Sequence, residues 1–166
     1  MQVKMMGNDM MLEGQIPKLG EVMPSAKLLD NELKEVSTDS FRGKVLLIAT
    51  VPSLDTPVCD AEAHRFNKEA ASLGSDIQIL VVSMDLPFAQ ARWCGAAGID
   101  KVKTLSDHRY ADFGKKFGVL IPALRLLARA IFVADRDGRL IYMQIVPEVT
   151  NHPNYDGALD AVKKLI

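Results

Sequence analysis

The chain predicts an α/β domain with a mixed central β-sheet flanked by helices and an N-terminal β-hairpin. Between residues 44 and 117, short apolar runs rich in β-branched residues alternate with segments of helical spacing. A second hairpin signal and a closing amphipathic segment follow. The length, 166 residues, suits one domain and buries about 70% of the surface an unfolded chain exposes. No internal repeat, low-complexity tract or long linker divides it, so residues 1–166 are expected to form a single domain.

Gly7 to Asp9 is a turn signal between Gln2–Met6 and Met10–Gly14, the arms of the N-terminal hairpin. Six of the eight methionines fall in the first 23 residues. A hairpin laid on the core accounts for them; a promiscuous binding surface or an oxidation sink would also use them. Residues 20–40 read as extended and irregular, with a turn at Asp30 and Asn31. Lys44–Thr50 is a continuous apolar run, the pattern of a strand buried on both faces. Ala61–Leu73 has helical spacing through Ala63, Phe66, Ala70 and Leu73, with Gly74 to end it. Ile77–Ser83 is a second buried strand, and Pro87–Ala97 a short helix opened by proline. Val102–Leu105 is a short strand, and Tyr110–Phe117 a short helix closed by Gly118. Ala130–Ala134 and Leu140–Val146 are strands joined by a turn at residues 135–139. Tyr155–Ile166 closes the chain as a helix, with Leu159, Val162, Leu165 and Ile166 on one face.

With 20 basic and 21 acidic residues, the chain lacks the basic excess that nucleic acid or an acidic membrane surface selects. No apolar run approaches the ~20 residues needed to cross a bilayer, and the N-terminus does not read as a signal peptide. A cytoplasmic location is expected. The two cysteines, Cys59 and Cys94, are too few for a structural zinc site and unnecessary for folding at this size.

Cys59 follows a loop rich in Pro, Asp and Thr that leaves a strand and enters a helix. In the first turn, unpaired backbone N–H groups and the helix dipole favour a thiolate, the nucleophilic form of cysteine. Asp55, Asp60 and Glu62 act the other way, so a reactive Cys59 needs a cation from elsewhere in the chain. A lone cysteine is more commonly a small buried hydrophobe; its place at a strand-to-helix junction, where function concentrates, argues against that. Thr56 is either a helix N-cap or a hydroxyl beside the sulfur that bonds an incoming substrate oxygen. Pro52 and Pro57 shape the loop and could shield the thiol from water. His64, His108 and His152 are scattered and read as surface or packing residues.

These residues resemble a known family. Pro52-x-x-x-Thr56-x-x-Cys59 matches the PxxxTxxC signature of peroxiredoxins. Residues 83–95, SMDLPFAQARWCG, resemble the segment carrying the second cysteine in the bacterial atypical two-cysteine subfamily, and LLARA at 126–130 resembles its active-site arginine segment. The similarity spans the chain and implies a thioredoxin-like fold.

By the resemblance, Cys59 is the peroxidatic cysteine, an oxidoreductase nucleophile that reduces hydrogen peroxide and organic hydroperoxides through a sulfenic acid. Thr56 and Arg129 polarise the peroxide, Pro52 helps form the substrate site, and Arg129 is the missing cation. Arg125, in the apolar stretch 118–127, competes with Arg129 for that place, and the LLARA match favours Arg129. The apolar stretch itself suits either an entrance for alkyl hydroperoxides or a dimer contact. Cys94 is the resolving cysteine, giving a Cys59–Cys94 disulfide that thioredoxin reduces. A homodimer is implied, and no metal or organic cofactor. Each cysteine is expected at or near the start of its own helix. A disulfide needs Cα atoms within about 7 Å, so oxidation is expected to unwind one helix or both. Gly95 and Gly98 make the Cys94 helix the softer. A peroxide sensor that relays oxidation to a partner protein would use the same disulfide. A general dithiol oxidoreductase would need a CxxC, which is absent. A non-redox interaction domain leaves the constellation unexplained.

Overall fold

The computed structural model describes residues 1–166. In chain order the elements are β1 (Gln2–Met5), β2 (Asn8–Met11), β3 (Lys27–Leu29), β4 (Glu35–Ser37), a 3₁₀ turn at Thr38–Phe41, β5 (Val45–Thr50), α1 (Pro57–Leu73), β6 (Ile77–Ser83), α2 (Pro87–Ala97), β7 (Val102–Ser106), α3 (Asp112–Phe117), β8 (Leu120–Ile121), β9 (Leu126–Leu127), β10 (Ala130–Ala134), β11 (Leu140–Ile145) and α4 (Tyr155–Lys163). Seven strands form one mixed sheet in the order β11-β10-β5-β6-β7-β3-β4. Its centre, β5-β6-β7, is parallel, and β10 runs antiparallel to β5. This is the expected thioredoxin-like α/β architecture.

Strand periodicity divides the core into two layers. Along β5, Leu46 and Ile48 face one side, while Val45, Leu47 and Ala49 face the other. The first side packs against Phe113 and Phe117 of α3, whose rings stack 3.9 Å apart, and against the N-terminal hairpin. The second packs against Ala63, Phe66 and Ala70 of α1 and Ala158, Leu159 and Val162 of α4.

Several boundaries differ from the sequence reading. The first hairpin turns at Met6 and Gly7, both at positive φ (51° and 80°), so Asn8 and Asp9 are strand residues opposite Met5 and Lys4. Residues 20–40 are not wholly irregular: β3 and β4 form an edge hairpin of three-residue strands, too short to show alternation. Its turn is held by Asp30 Oδ1, which accepts from the Glu32 and Lys34 amides. Helix α1 begins at Pro57 rather than Ala61, because proline fits the first helical position whatever the polarity of that turn. Helix α3 begins at Asp112 and α4 ends at Lys163. The apolar stretch 118–127 is largely core: Val119, Leu120, Ile121 and Leu127 are buried, and only its tip at residues 122–125 is exposed.

Candidate active site

Parallel pairing puts the ends of β5 and β6 side by side, so the loops leaving them are neighbours at the carboxyl edge of the sheet. The β5 loop runs over residues 51–56 into α1. Cys59 is the third residue of that helix, within its first turn, and is fully buried. Pro52 is buried in the loop.

Arg129 reaches the thiol because β10 pairs with β5 so that Ala130 lies opposite Thr50. Arg129 therefore sits one residue beyond the end of the pairing, beside the loop leaving β5. Thr50 Oγ1 donates to Ala128 O at 2.7 Å and fastens the two chains there. Arg129 is 1% exposed, and all three of its side-chain nitrogens are used. Nη2 donates to Cys59 Sγ at 3.2 Å, Nη1 to Glu62 Oε2, and Nε to Val149 O at 2.8 Å. Arg125 lies on the exposed tip at φ 52° and donates to His108 O, so it does not compete.

Sequence reasoning counted Glu62 as a charge opposing the thiolate and missed its part in the site. Three residues after Cys59, it shares that helix face, is fully buried and binds Arg129. Burial pushes its carboxyl up to about 7, against the pull of the Arg129 charge and hydrogen bond. Burial also opposes the Arg129 charge, yet Glu62 and Cys59 hold the guanidinium above its ordinary range. Tyr155 lies within this field: burial, then the Glu62 charge, pushes its phenol up to about 12. Asp55 is exposed, and Asp60 faces Trp93 and His64, so neither carboxylate is spent on the sulfur.

Thr56 takes the N-cap position of α1, but its hydroxyl does not accept from a helix N–H. It donates to Ser53 O at 2.9 Å. A shallow depression lined by Leu54, Asp55, Thr56, Pro57, Asp60 and Trp93 opens over this end of α1.

Cys94 is not at the start of its helix. It is the eighth residue of α2, near the C-terminal end, and its carbonyl accepts from the Gly98 and Ile99 amides that cap the helix. Its sulfur lies 3.4 Å from Thr104 Oγ1, and it forms part of a polar cleft with Asn31, Lys101 and Lys103. Both cysteines are free. Trp93, next to Cys94, packs partly into the core and donates from Nε1 to Asp60 Oδ1 at 2.9 Å. The two sulfurs thus have different partners, while their sequence neighbours are bonded to each other. No helix is long and apolar enough to cross a membrane.

The chain matches the Redoxin family over residues 18–159. It is 52% identical over 165 residues to a thiol peroxidase of Bacillus subtilis (strain 168), covering 99% of this chain and 98% of the relative. A thiol peroxidase of Listeria innocua serovar 6a is 44% identical, with 98% of each chain covered. Among solved structures, a peroxiredoxin-like protein from Aquifex aeolicus superposes with a TM-score of 0.93 at 44% identity, covering 99% of this chain and 97% of that one. A thiol peroxidase from Chromobacterium violaceum superposes with a TM-score of 0.87 at 23% identity, over 98% and 95% of the two chains, and supports the fold alone. With a buried thiol at a helix N-terminus facing an arginine, and relatives matched from end to end, the chain belongs to the bacterial thiol peroxidases of the peroxiredoxin family and is a cysteine-based peroxidase.

Proposed function

We propose that Cys59 is the peroxidatic cysteine and Cys94 the resolving one, in a cycle that reduces hydrogen peroxide and organic hydroperoxides and is closed by thioredoxin. The observation that carries this is the Arg129 Nη2 to Cys59 Sγ contact, 3.2 Å in a buried site at a helix N-terminus. A cation there stabilises the negative charge on the attacking sulfur and on the peroxide oxygens as the O–O bond stretches. The Thr56 proton is committed to Ser53 O, so its oxygen is left as an acceptor for the O–H of a neutral hydroperoxide. Pro52 forms part of the loop that encloses the same corner.

The sulfur attacks the terminal peroxide oxygen, the O–O bond breaks, and the alkoxide or hydroxide leaves with a proton as alcohol or water. Cys59 is then a sulfenic acid. The Cys94 thiolate attacks that sulfur, a water leaves, and an intramolecular disulfide remains. Thioredoxin, a dithiol, takes the oxidation in two thiol–disulfide exchanges and returns both cysteines to thiols. Because the sulfurs hold different partners, the disulfide requires movement. The C-terminal part of α2 is favoured for it by Gly95 in its interior and the left-handed cap at Gly98. A homodimer in the cytoplasm is the assembly and location we assign.

The test is peroxide consumption coupled to thioredoxin. Cys59→Ser should lose activity. Cys94→Ser should consume about one equivalent of peroxide and then stop turning over with thioredoxin. Full activity in Cys59→Ser would refute the reading.

A further inference from the structure

Beneath the peroxidatic loop lies a carboxylate that the cycle above does not use. Asp85 follows the end of β6 and precedes α2, and three donors converge on its two oxygens. Ser53 Oγ donates to Oδ1 at 2.8 Å; the Leu54 amide, at 2.9 Å, and Ser83 Oγ, at 2.7 Å, donate to Oδ2. The residue is fixed in turn: its carbonyl accepts from Ser106 Oγ, and its amide donates to Ser83 Oγ at 3.3 Å. Buried Gln90 of α2 donates to the same Ser83 oxygen at 3.1 Å and to Leu105 O at 2.9 Å. The carboxylate is thus anchored to β6, β7 and the first turns of α2.

Ser53 is the residue whose carbonyl accepts the Thr56 hydroxyl and, at 3.2 Å, the Thr56 amide. A chain of bonds runs from Asp85 through Ser53 to Thr56, three residues before the reactive sulfur. Its directions are set: a carboxylate can only accept, so the Ser53 hydroxyl and the Leu54 amide must point at it. That fixes the peptide plane whose carbonyl takes the Thr56 proton. We propose that Asp85 is a positioning residue of the peroxidase site, holding Ser53 so that Thr56 presents an acceptor oxygen to the hydroperoxide. The inference rests on the role assigned to Thr56 above. It separates two tasks at the site: Arg129 supplies charge to the sulfur, and Asp85, hydrogen-bonded to neither Arg129 nor Cys59, sets the geometry of the peroxide.

The test compares two rates on the reduced protein: single-turnover reaction of Cys59 with hydrogen peroxide, and its alkylation by iodoacetamide. Alkylation needs a nucleophilic sulfur but no oriented peroxide. Asp85→Asn keeps the volume but turns one acceptor oxygen into a donor, facing groups that already donate. It should slow the peroxide reaction about 10- to 100-fold and leave alkylation within about twofold. Ser53→Ala should slow the peroxide reaction less and Ser53→Thr should restore it; this pair carries the test if Asp85→Asn does not fold. Equal loss of both rates would make Asp85 merely structural, and an unchanged peroxide rate would remove it from the site; either result overturns the proposal. Thr56→Val separates the two readings. If it leaves the peroxide rate intact, the role of Thr56 falls and takes this inference with it. If it slows the rate while Asp85→Asn does not, only the inference falls.

Discussion

Trp93 and Asp60 tie together the immediate neighbours of the two cysteines, the indole Nε1 donating to Asp60 Oδ1 at 2.9 Å. One partner lies in the first turns of α1, one residue past Cys59, and the other in α2, one residue before Cys94. The His64 ring meets the indole edge-on at 5.9 Å and its Nε2 lies 3.7 Å from the same Asp60 oxygen. When Cys94 turns from Thr104 toward Cys59, the adjacent Trp93 is expected to move with it and strain its bond to Asp60.

That bond should therefore slow disulfide formation. Asp60 is half exposed, so the bond contributes about 0.5–1.5 kcal/mol net, and Asp60→Ala should speed the resolving step several-fold. Rapid quenching with an alkylating agent, after one equivalent of peroxide, gives the rate from the loss of free thiol. A slower resolving step would show that the Trp93–Asp60 pair guides the movement instead of restraining it.

Arg129→Lys keeps a cation but loses the fork that serves Cys59, Glu62 and Val149 together. The single-turnover peroxide rate should fall on the order of a hundredfold, the usual effect of losing a preorganised donor. Arg125→Lys should leave it unchanged, since Arg125 bonds only the His108 carbonyl at the exposed tip.

Glu62 makes stability depend on pH. Its carboxyl titrates near 4.5 when free and is raised to about 7 in the fold, chiefly by burial. The folded state holds that proton more tightly, so the associated stability is fully present below about 4.5 and is lost as pH rises through about 7. Glu62→Gln cannot ionise. Its denaturant midpoint relative to the parent should therefore rise between about pH 5 and about pH 8. A difference that stays constant across this range would contradict the assignment.

The sequence carried most of the sheet and half of the site. β6 and α2 match the sequence reading residue for residue, because a strand buried on both faces is a continuous apolar run and proline and glycine mark the ends of the helix. The pairs β3–β4 and β8–β9 were not legible, since strands of two or three residues have no period to show. In the site, Cys59 and Thr56 stood out by spacing, whereas Arg129 needed the resemblance to separate it from Arg125. Glu62 was visible at three residues from Cys59 as one of the carboxylates the missing cation must offset, but not as the buried, direct partner of Arg129. Asp85 could not be found from local pattern, because its partners Ser53 and Leu54 reach it only through the parallel pairing of β5 with β6.

The most direct test of the account is a non-reducing peptide map of the protein after one equivalent of hydrogen peroxide. The account predicts a single intramolecular cross-link joining the peptide of Cys59 to that of Cys94, reversed by thioredoxin. A Cys59 that remains a sulfenic acid, or is linked to another chain while Cys94 stays a free thiol, would contradict it.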